Sequence, residues 1–330
     1  MTENPRPELS VVVIIASDTT HGRADVTHLE PCLWSLLRQR QAPLIEILVP
    51  HYTGVRGLQD LQQQFPDVWF LPVLDLKTSI GRGATHEHHH ELRARGLAAA
   101  RGTIVALLED HDVVDANWSA SVITAHQRDF AVVGGAIENG IDRPLNWAAY
   151  FCDFGRYQNP LPDGEAVTAS DVNVAYKRAA LETIQPVWRQ SYHEPEVNQA
   201  LQSRRFKLAL CPRMIVFQKR QNLRLPTVLR ERFIWGRSYA ATRNRLVSLP
   251  WRVFLATFSP ALPVLLLLRM FVTVLRKKRL RLAFLRALPW TALLTVSWAC
   301  GELAGYLTGR ASGAPPLRKA SDRFASPVAR

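Results

Sequence analysis

The segment from Arg93 to Trp118 constrains the fold more than any other part of this chain. Its sequence, RARGLAAARGTIVALLEDHDVVDANW, predicts a helix of small residues, a turn at Gly102 and a buried strand over residues 103–108. The strand runs directly into four polar residues, EDHD, at 109–112. Open α/β sheets bind their ligands at the carboxyl ends of their strands. A strand that leaves an apolar core and ends in acids and a histidine therefore predicts a ligand site at that edge.

Strands and helices alternate at short intervals through the first half of the chain. The run LSVVVIIA at 9–16 is continuous and β-branched, which is typical of a strand buried on both faces. Further strands are predicted at 45–49, 68–73 and 103–108, with helices at 29–40, 57–65 and 86–101. This alternation predicts an α/β fold with a mostly parallel sheet and helices on both faces. The aromatic segment 141–168 is expected to be irregular.

Charge divides the chain into two unlike parts. Residues 1–212 contain 19 Lys and Arg against 25 Asp and Glu, whereas residues 213–330 contain 22 against 3. A basic region is typical of proteins that bind nucleic acid or an anionic membrane. The long apolar runs of this region favour the membrane, and no nucleic-acid-binding motif accompanies its basic residues. We therefore expect membrane lipids, and not nucleic acid, as partners of this region.

Cysteine usage and the N-terminal sequence indicate a cytoplasmic setting. The four cysteines are far apart and form no CxxC pair, so we expect neither a zinc site nor a disulfide framework. The first residues, MTENPRPELS, lack the basic and apolar regions of a signal peptide. We therefore expect the front half of the chain to stay in the cytoplasm.

Two apolar runs near the C-terminus raise the question of membrane topology. Residues 254–268 carry no charge but are too short to span easily and contain Pro260 and Pro263, which break or kink a helix. Residues 287–309 are long enough but include Glu302. If both runs crossed, the basic segment RKKRLRLAFLR at 276–286 would lie outside, against the positive-inside tendency. We expect a monotopic arrangement at the cytoplasmic face, with a two-helix hairpin as the alternative.

The order of motifs along residues 9–240 resembles that of family 2 glycosyltransferases, which have a GT-A fold. The matching pieces are SVVVIIAS, PCLWSLLRQR, IEILV, RGLAAARGTIVALLEDHD followed by Trp118, VVGGAIENG, NVAYKRAAL, YHEPEVNQAL and FKLALCPRMIVF. The resemblance implies a GT-A (Rossmann-like) domain at 1–225. A basic and apolar helical, membrane-associated region is then expected at 226–310, with a flexible tail at 311–330.

The chain departs from the family pattern at two places. The second strand of the family ends in an Asp that reads the nucleotide base, but here it ends in Val49-Pro50-His51-Tyr52. The DxD motif falls on Glu109 and His111 when counted from Trp118, and on Asp110 and Asp112 by identity. Alternation along a strand puts these two pairs on opposite sides. We favour Glu109 and His111 because the Trp spacing sets the register, and the Glu-Asp-His variant resembles a bacterial branch of the family.

The resemblance also assigns roles to individual residues. Glu109 and His111 are expected to hold a divalent metal, Mn²⁺ or Mg²⁺, beside the donor diphosphate. Glu194 is expected to be the catalytic base, with Glu196 as second choice and a helix cap as the structural alternative. The expected donor-binding residues are Ser17, Asp18, His51, Arg93, Arg95, Asp110 and Arg237, and the expected acceptor-side residues are Asp171 and Asn173.

Several of these positions have plain structural alternatives. Asp18 is equally typical of a turn, and Arg93 and Arg95 of a solvated helix face. Asn173 is also typical of a strand edge, and Arg237 of a basic helix that faces the membrane. The run HEHHHE at 86–91 suggests a metal site, but a solvated helix start is the preferred interpretation because the family motif does not use it.

The predicted function is the transfer of a single sugar, with inversion, from a nucleotide-sugar donor to a lipid-linked or cell-envelope acceptor. The QxxRW signature of processive synthases is absent, which favours one sugar at a time. The altered His51 and His111 leave a second hypothesis open, in which a degenerate, non-catalytic GT-A module scaffolds a membrane complex.

Overall fold

The structure, a computed structural model, describes residues 6–17, 25–40, 43–77, 87–244 and 247–309. Nine strands form one sheet in these ranges: β1 Leu9–Ile14, β2 Ile45–His51, β3 Trp69–Pro72, β4 Ile104–Glu109, β5 Asp112–Val114, β6 Val132–Asn139, β7 Gly164–Ala166, β8 Val174–Lys177 and β9 Leu208–Gln218. The helices are α1 Leu29–Leu37, α2 Leu58–Gln64, α3 Glu87–Ala99, α4 Trp118–His126, α5 Pro144–Asp153, α6 Arg178–Thr183, α7 Gln185–Trp188, α8 Glu194–Ser203, α9 Leu225–Arg243, α10 Leu249–Phe258, α11 Leu262–Lys277 and α12 Arg281–Thr308.

The sheet is parallel in its first half and mixed in its second. The strand order is β3-β2-β1-β4-β8-β6-β9-β5, with β7 also paired to β9. The strands β3, β2, β1 and β4 are parallel to one another, whereas β8 is antiparallel to both β4 and β6. Parallel pairing is found among the first four strands, as expected, and again between β6 and β9, whereas β5 and β7 pair with β9 in the antiparallel direction.

The register brings the ends of β1, β2 and β4 to one level. Glu109 at the end of β4 lies opposite Ile14, and Val12 of β1 lies opposite Leu48 of β2. Every residue of β1 is buried, as expected for a central strand with helices on both faces. Side chains that follow these three strands therefore meet at a single carboxyl edge.

The aromatic segment 141–168, expected to be irregular, contains a helix and a strand. Helix α5 has Pro at its first position, where the missing N–H is not needed by the helix. Its buried aromatic side chains, Tyr150 and Phe151, face the core, and the Tyr150 hydroxyl donates to the Ile137 carbonyl oxygen at 2.8 Å. The dense aromatic residues obscured the helical periodicity of this segment.

The C-terminal helices form a bundle in which α9 and α12 pack tightly. The Gly236 backbone of α9 meets Trp298 of α12, and the Gly301 backbone of α12 meets Phe233. A Cβ added at Gly301 would lie 2.2 Å from the Phe233 carbonyl oxygen, so no larger residue fits there without movement. Small residues let the two helix backbones approach closely, as in membrane helix pairs.

The proline-containing run is helical, and its helix is interrupted near the prolines, as predicted. Helix α10 ends at Phe258, a 3₁₀ turn follows over Ser259–Ala261, and α11 begins at Leu262. The stretches Leu249–Lys277 and Arg281–Thr308 are long and apolar enough to cross a membrane, by length and composition alone. Their most apolar windows are only 11% and 33% buried, so most of this apolar surface is left uncovered. Such a surface is typical of contact with lipid or a partner.

The basic segment between these two stretches packs on the sheet domain. Lys277 donates to the carbonyl oxygens of Arg156, at 3.1 Å, and of Gln158. Arg279 donates to the Glu138 carboxylate at 2.9 Å. This segment therefore lies on the same side of the bundle as the sheet. The predicted tail at 311–330 is outside the described residues.

Candidate active site

Ser17 and Asp110 tie the ends of β1 and β4 together. The Asp110 carboxylate accepts hydrogen bonds from the backbone N–H groups of Ala16 and Ser17, at 3.0 and 3.2 Å, and from the Ser17 hydroxyl. Asp110 is fully buried, so these bonds replace its lost hydration. Two residues predicted to bind the donor thus bind each other and shape the loop after β1. Asp18, the next residue, is outside the described residues.

Glu109 and His111 lie side by side at the carboxyl edge. The His111 Nε2 atom is 3.2 Å from Glu109 Oε2, and its Nδ1 atom is 3.2 Å from Asp110 Oδ1. Asp112 turns the other way and is fully buried, with its carboxylate bound to the Glu109 N–H and to the Gln218 amide. Of the four residues 109–112, only Glu109 and His111 keep any exposure, 16% and 7%.

A single buried guanidinium joins this pair to a second carboxylate. The Arg93 Nη2 atom is 2.8 Å from Glu109 Oε1 and 3.1 Å from Asp171 Oδ2. The side chain of Arg93 is only 4% exposed, so both ion pairs lie in a region of low dielectric. Arg93 therefore holds the residues predicted for the donor side and the acceptor side within one site.

The charges of this cluster set its pKa values. Burial alone would raise the pKa of Glu109, but His111 and Arg93 bring it well below its usual range. Burial alone would lower the pKa of His111, yet hydrogen bonds to Asp110 and Glu109 raise it well above that of free imidazole. Glu109 is therefore ionised in this arrangement, and it is held in place by two cations.

Glu194 begins helix α8 on the other side of Asp171. Its carboxylate accepts a hydrogen bond from the Asn198 amide at 3.0 Å and another from the Asp171 backbone N–H. Burial and the nearby Asp171 carboxylate raise the pKa of Glu194 to about 7. A carboxylate that titrates near neutral pH is suited to accept and release a proton. Glu196, the second choice, is exposed on the same helix turn.

His51 contributes a buried imidazole at the end of β2. Its Nδ1 atom lies 3.2 Å from the Tyr52 carbonyl oxygen, whereas Nε2 has no hydrogen-bond partner among the described residues. Burial lowers the pKa of His51, so the ring is neutral at pH 7. A buried polar atom without a partner is rare in proteins, which makes Nε2 a candidate to contact a ligand.

Three predicted positions lie away from this cluster or are occupied within the fold. The fully buried Asn173 amide binds the Ala136 and Met214 carbonyl oxygens and accepts from the Trp118 indole, as a sheet-bracing residue does. Arg95 forms a half-exposed ion pair with Asp75 at 2.5 Å. Arg237 lies on α9, where its backbone packs against Gly301. Among the described contacts, none joins Arg95 or Arg237 to Glu109.

Comparison with known protein families shows which family this chain belongs to. Residues 19–185, just over half of the chain, match the model of the family described as "Glycosyl transferase family 2". The chain belongs to glycosyl transferase family 2. Its fold is therefore GT-A, with a parallel first half that ends in the Glu109 edge. No curated protein matches this glycosyltransferase closely enough to count as a relative.

Solved structures with a similar fold share little sequence with this glycosyltransferase. One is the mannosyltransferase PcManGT from Pyrobaculum calidifontis in complex with GDP-Man and Mn²⁺, at 14% identity and a TM-score of 0.45 over 92% of this chain and 75% of that one. Another is residues 1–349 of TarS from S. aureus, at 13% identity and a TM-score of 0.43 over 89% and 92%. TarS has also been solved with UDP-GlcNAc.

A divalent cation, which the family implies, fits the Glu109 carboxylate, and it fits His111 only as neutral imidazole, so binding of the metal would release the proton that Glu109 and Asp110 stabilise on that ring. Octahedral ligands at about 2.1 Å from Mg²⁺ lie about 3 Å from one another, close to the 3.2 Å between Glu109 Oε2 and His111 Nε2. Within the described ranges, no group of three or more His, Cys, Asp or Glu side chains is placed to hold a metal. The protein can therefore offer two ligands, and phosphate oxygens and water would supply the others.

Sequence reasoning missed two residues that the site of this glycosyltransferase uses. Asn198 binds Glu194 from one helical turn away, and the spacing of four residues could have revealed it. Arg156 lies close enough to Glu194 to lower its pKa. It precedes Tyr157 in a 3₁₀ turn, and no local pattern connects that turn with α8. Of the HEHHHE run, His86 is outside the described residues, whereas His88 and His89 are buried in α3 and not solvated as expected.

Proposed function

We propose that this glycosyltransferase moves a single sugar, with inversion, from a nucleotide-sugar donor to a lipid-linked or cell-envelope acceptor at the cytoplasmic face of the cell membrane. Residues 1–225 would carry the chemistry and 226–310 the membrane contact. The Glu-Asp-His sequence at 109–111 would be this chain's version of the DxD motif.

The single observation that carries this proposal is that Glu109 and Glu194 lie in one site, connected through Arg93 and Asp171, and have pKa values shifted in opposite directions. Arg93 contacts both Glu109 and Asp171, and the Asp171 backbone binds Glu194. Glu109 is held ionised, whereas the pKa of Glu194 is raised to about 7. Carboxylates whose surroundings separate their pKa values in this way are typical of sites that divide binding from proton transfer.

The proposed reaction is a displacement at the anomeric carbon. Glu194 takes the proton of the acceptor hydroxyl, and the hydroxyl oxygen forms a bond to the anomeric carbon of the donor. The bond from that carbon to the leaving diphosphate breaks on the opposite face, which inverts the configuration. Inversion follows because one base and one displacement leave no covalent sugar–enzyme intermediate.

The remaining donor-side residues would bind and orient the nucleotide. Arg93 supplies positive charge beside the leaving diphosphate. His51 offers its unpartnered Nε2 atom to the nucleotide's heterocyclic base. Asp110 and Ser17 hold the loop that leads to Asp18. Glu109 and His111 would hold Mn²⁺ or Mg²⁺, which neutralises charge on the leaving diphosphate when bound.

The membrane contact is proposed to be monotopic. In a two-helix hairpin, the segment 276–286 would be separated from the sheet domain by the membrane, but Lys277 and Arg279 bind that domain directly. Helix α9, packed along α12, also carries Arg232 and Arg237, which are costly in a lipid interior. Labelling Arg281→Cys from outside intact cells with a membrane-impermeant maleimide tests this arrangement, since efficient labelling would contradict it.

The function is tested by donor turnover in the purified full-length protein. Release of nucleoside diphosphate is measured from UDP- and GDP-sugars with Mn²⁺, with Mg²⁺ and with EDTA. We expect Glu194→Gln to lower turnover about 10²–10⁴-fold, the contribution typical of a general base. We expect EDTA to lower it as well, and added Mn²⁺ to restore it.

Glu196→Gln is the matched control for this test. Glu196 lies on the same helix turn but is exposed, so its variant should retain wild-type turnover. Equal turnover in wild type and Glu194→Gln would remove Glu194 as the base. If calorimetry detects no binding of any nucleoside diphosphate, the non-catalytic scaffold becomes the better account.

A further inference from the structure

Two buried tyrosines, Tyr176 and Tyr192, form a hydrogen-bonded pair close to Glu194. Their hydroxyl oxygens are 2.6 Å apart, and both residues are fully buried. The Tyr176 hydroxyl also lies 3.4 Å from the Asn198 amide oxygen, and the Asn198 amide nitrogen donates to the Glu194 carboxylate at 3.0 Å. A chain of hydrogen bonds therefore connects this tyrosine pair to the proposed base.

The number of protons sets the direction of these hydrogen bonds. Each hydroxyl has one proton to donate, and the Asn198 amide oxygen can only accept. If Tyr192 donates to Tyr176 and Tyr176 donates to Asn198, both protons and the amide oxygen are used. The opposite direction would leave the Tyr192 proton without an acceptor among the described contacts, which is costly in a buried site. Donation by Tyr192 also makes the Tyr176 hydroxyl a better donor to Asn198, because linked hydrogen bonds strengthen one another.

The Tyr176 hydroxyl distinguishes the two orientations of the Asn198 amide. In the observed orientation, Nδ2 faces the Glu194 carboxylate and Oδ1 faces the hydroxyl. The reversed amide would place Oδ1 against the carboxylate, and two oxygen acceptors repel each other unless Glu194 is protonated. A hydroxyl that donates to Oδ1 therefore stabilises the amide orientation that favours ionised Glu194.

The members of this chain of hydrogen bonds belong to three elements that meet beside the base. Tyr176 lies in β8, which pairs with both β4 and β6 inside the sheet. The backbone N–H of Tyr192 donates to the His90 carbonyl oxygen of α3 at 3.0 Å. Asn198 and Glu194 lie one turn apart on α8. The tyrosine pair therefore connects the first turn of α8 to the sheet and to α3, the helix that carries Arg93.

The tyrosine pair itself stays uncharged over the pH range in which Glu194 titrates. Burial raises the pKa of both tyrosines well above its usual value of 10. Both hydroxyls can therefore donate hydrogen bonds throughout the range from pH 5 to 9.

Other ionisable groups also surround Glu194. They are Asp171 before β8, Arg156 and Tyr157 in the 3₁₀ turn, and His193 and Glu196 beside it in sequence. Burial and Asp171 raise the pKa of Glu194, whereas Arg156 and the Asn198 amide lower it. His193 packs on His90 of α3. Replacing a tyrosine of the pair by phenylalanine removes none of these charges, so a shift in such a variant reports on the hydrogen bonds of the pair.

We propose that Tyr176 and Tyr192 are positioning residues of the active site, which hold the Asn198 amide in the orientation that donates to Glu194. This inference rests on the proposed role of Glu194 as the base of the sugar transfer. Both tyrosines are fully buried, so they act on the reaction through Asn198 and not by contact with a substrate.

The pH dependence of kcat/KM in the purified full-length protein tests the inference. Turnover of UDP- and GDP-sugars is measured from pH 5 to 9 in wild type, Tyr176→Phe and Tyr192→Phe. The acidic limb, in which kcat/KM rises with pH, should move upward by about 0.3–1 pH unit in Tyr176→Phe and in the same direction in Tyr192→Phe. Turnover at pH 9 should stay close to that of wild type, because Glu194 is ionised there in all three proteins. An unmoved limb in Tyr176→Phe would overturn the inference.

A double variant tests whether Tyr176 acts through Asn198. The amide is absent from Asn198→Leu, so addition of Tyr176→Phe to that variant should move the limb no further. A further shift of the same size would show that Tyr176 acts on Glu194 without Asn198, which contradicts the positioning role.

Tyr150→Phe is the matched control for loss of a buried tyrosine hydroxyl. The Tyr150 hydroxyl donates to the Ile137 carbonyl oxygen at 2.8 Å, and none of its hydrogen bonds among the described residues reaches α8. Tyr150→Phe should lower the melting temperature as Tyr176→Phe does, yet leave the acidic limb at its wild-type pH. Equal limb shifts in the two variants would mean that the limb follows stability, and the positioning role would be wrong.

A titration that needs no turnover separates this inference from the proposed function. The Glu194 carboxyl carbon is followed by ¹³C NMR in protein labelled at the glutamate carboxyl groups, and Glu194→Gln identifies its signal. If Tyr176→Phe raises the pKa of Glu194 but wild type consumes no donor, the hydrogen-bond chain is supported and the transferase proposal fails. If wild type consumes donor and Glu194→Gln does not, but Tyr176→Phe moves neither the NMR titration nor the limb, only the positioning role is wrong.

Discussion

Glu109 and Glu194 occupy one site, yet their surroundings shift their pKa values in opposite directions. Burial acts on both and raises the pKa of each. At Glu109 the cations His111 and Arg93 more than offset burial, whereas at Glu194 the nearby Asp171 carboxylate adds to it. The comparison teaches that the neighbours of a carboxylate, more than its depth, decide whether it serves as an anionic ligand or as a base.

The same contrast explains why Arg93 is placed where it is. It forms ion pairs with Glu109 and Asp171 but, among the described contacts, none with Glu194. Neutralising Asp171 only in part leaves enough negative charge to raise the pKa of Glu194. A cation in direct contact with Glu194 would lower the pKa of that carboxylate. Glu194 would then hold a proton too weakly to serve as a base near neutral pH.

Of the changes that test this contrast, replacement of Arg93 is expected to have the largest effect on stability. Arg93→Met leaves Asp171 without its cation and Glu109 with His111 alone, and loss of one partner from such a largely buried pair typically lowers the free energy of unfolding by about 3–5 kcal/mol. Urea unfolding measures this loss, and calorimetry should show weakened nucleoside diphosphate binding. Arg95→Met is the control, because its pair with Asp75 is half exposed and is expected to contribute less than about 1 kcal/mol. Similar losses of unfolding free energy in the two variants would show that the ion pairs of Arg93 contribute no more to stability than the half-exposed pair of Arg95.

The pH dependence of turnover tests the Glu194 side of the comparison. The base must be ionised, so kcat/KM should rise about tenfold per pH unit below 7 and level off above it. Glu109 should cause no further change of kcat/KM near neutral pH, because its pKa lies far below 7. The profile is measured from pH 5 to 9 with donor and metal held fixed. A profile that is flat through pH 7 would contradict the assignment of Glu194.

Much of the fold was predictable because it rests on strongly patterned segments. The strands predicted at 9–16 and 103–108 are continuous apolar runs, and both lie in the sheet, as β1 and β4. The helix at 144–153 was missed because aromatic side chains cover more than one of its faces. The mixed half of the sheet was missed because strand direction depends on distant pairings such as β4 with β8.

The site was predictable as a set of residue types but not as a set of contacts. Motif spacing singled out Glu109, His111, Arg93, Asp171 and Glu194, which the structure places in one connected cluster. The ion pair between Arg93 and Asp171 joins residues that are 78 positions apart, and no local pattern encodes such a pairing. Asn173 shows the converse, since a polar residue in a motif is fully occupied in bracing the sheet.

The smallest predicted effect concerns Asn198, which tunes Glu194 without touching the Glu109 cluster. Its amide donates to the Glu194 carboxylate at 3.0 Å and thereby lowers the pKa of that group. Asn198→Leu removes a hydrogen bond to the ionised form, so the pKa of Glu194 should rise and the acidic limb of kcat/KM should move upward by less than about one pH unit. Turnover at pH 9 should stay close to that of wild type, because Glu194 is ionised there in both proteins. Gln199→Leu, at the next and exposed position, should leave the limb unmoved. A downward shift in Asn198→Leu would mean that Asn198 stabilises the protonated form of Glu194, which would contradict a hydrogen bond donated to the carboxylate.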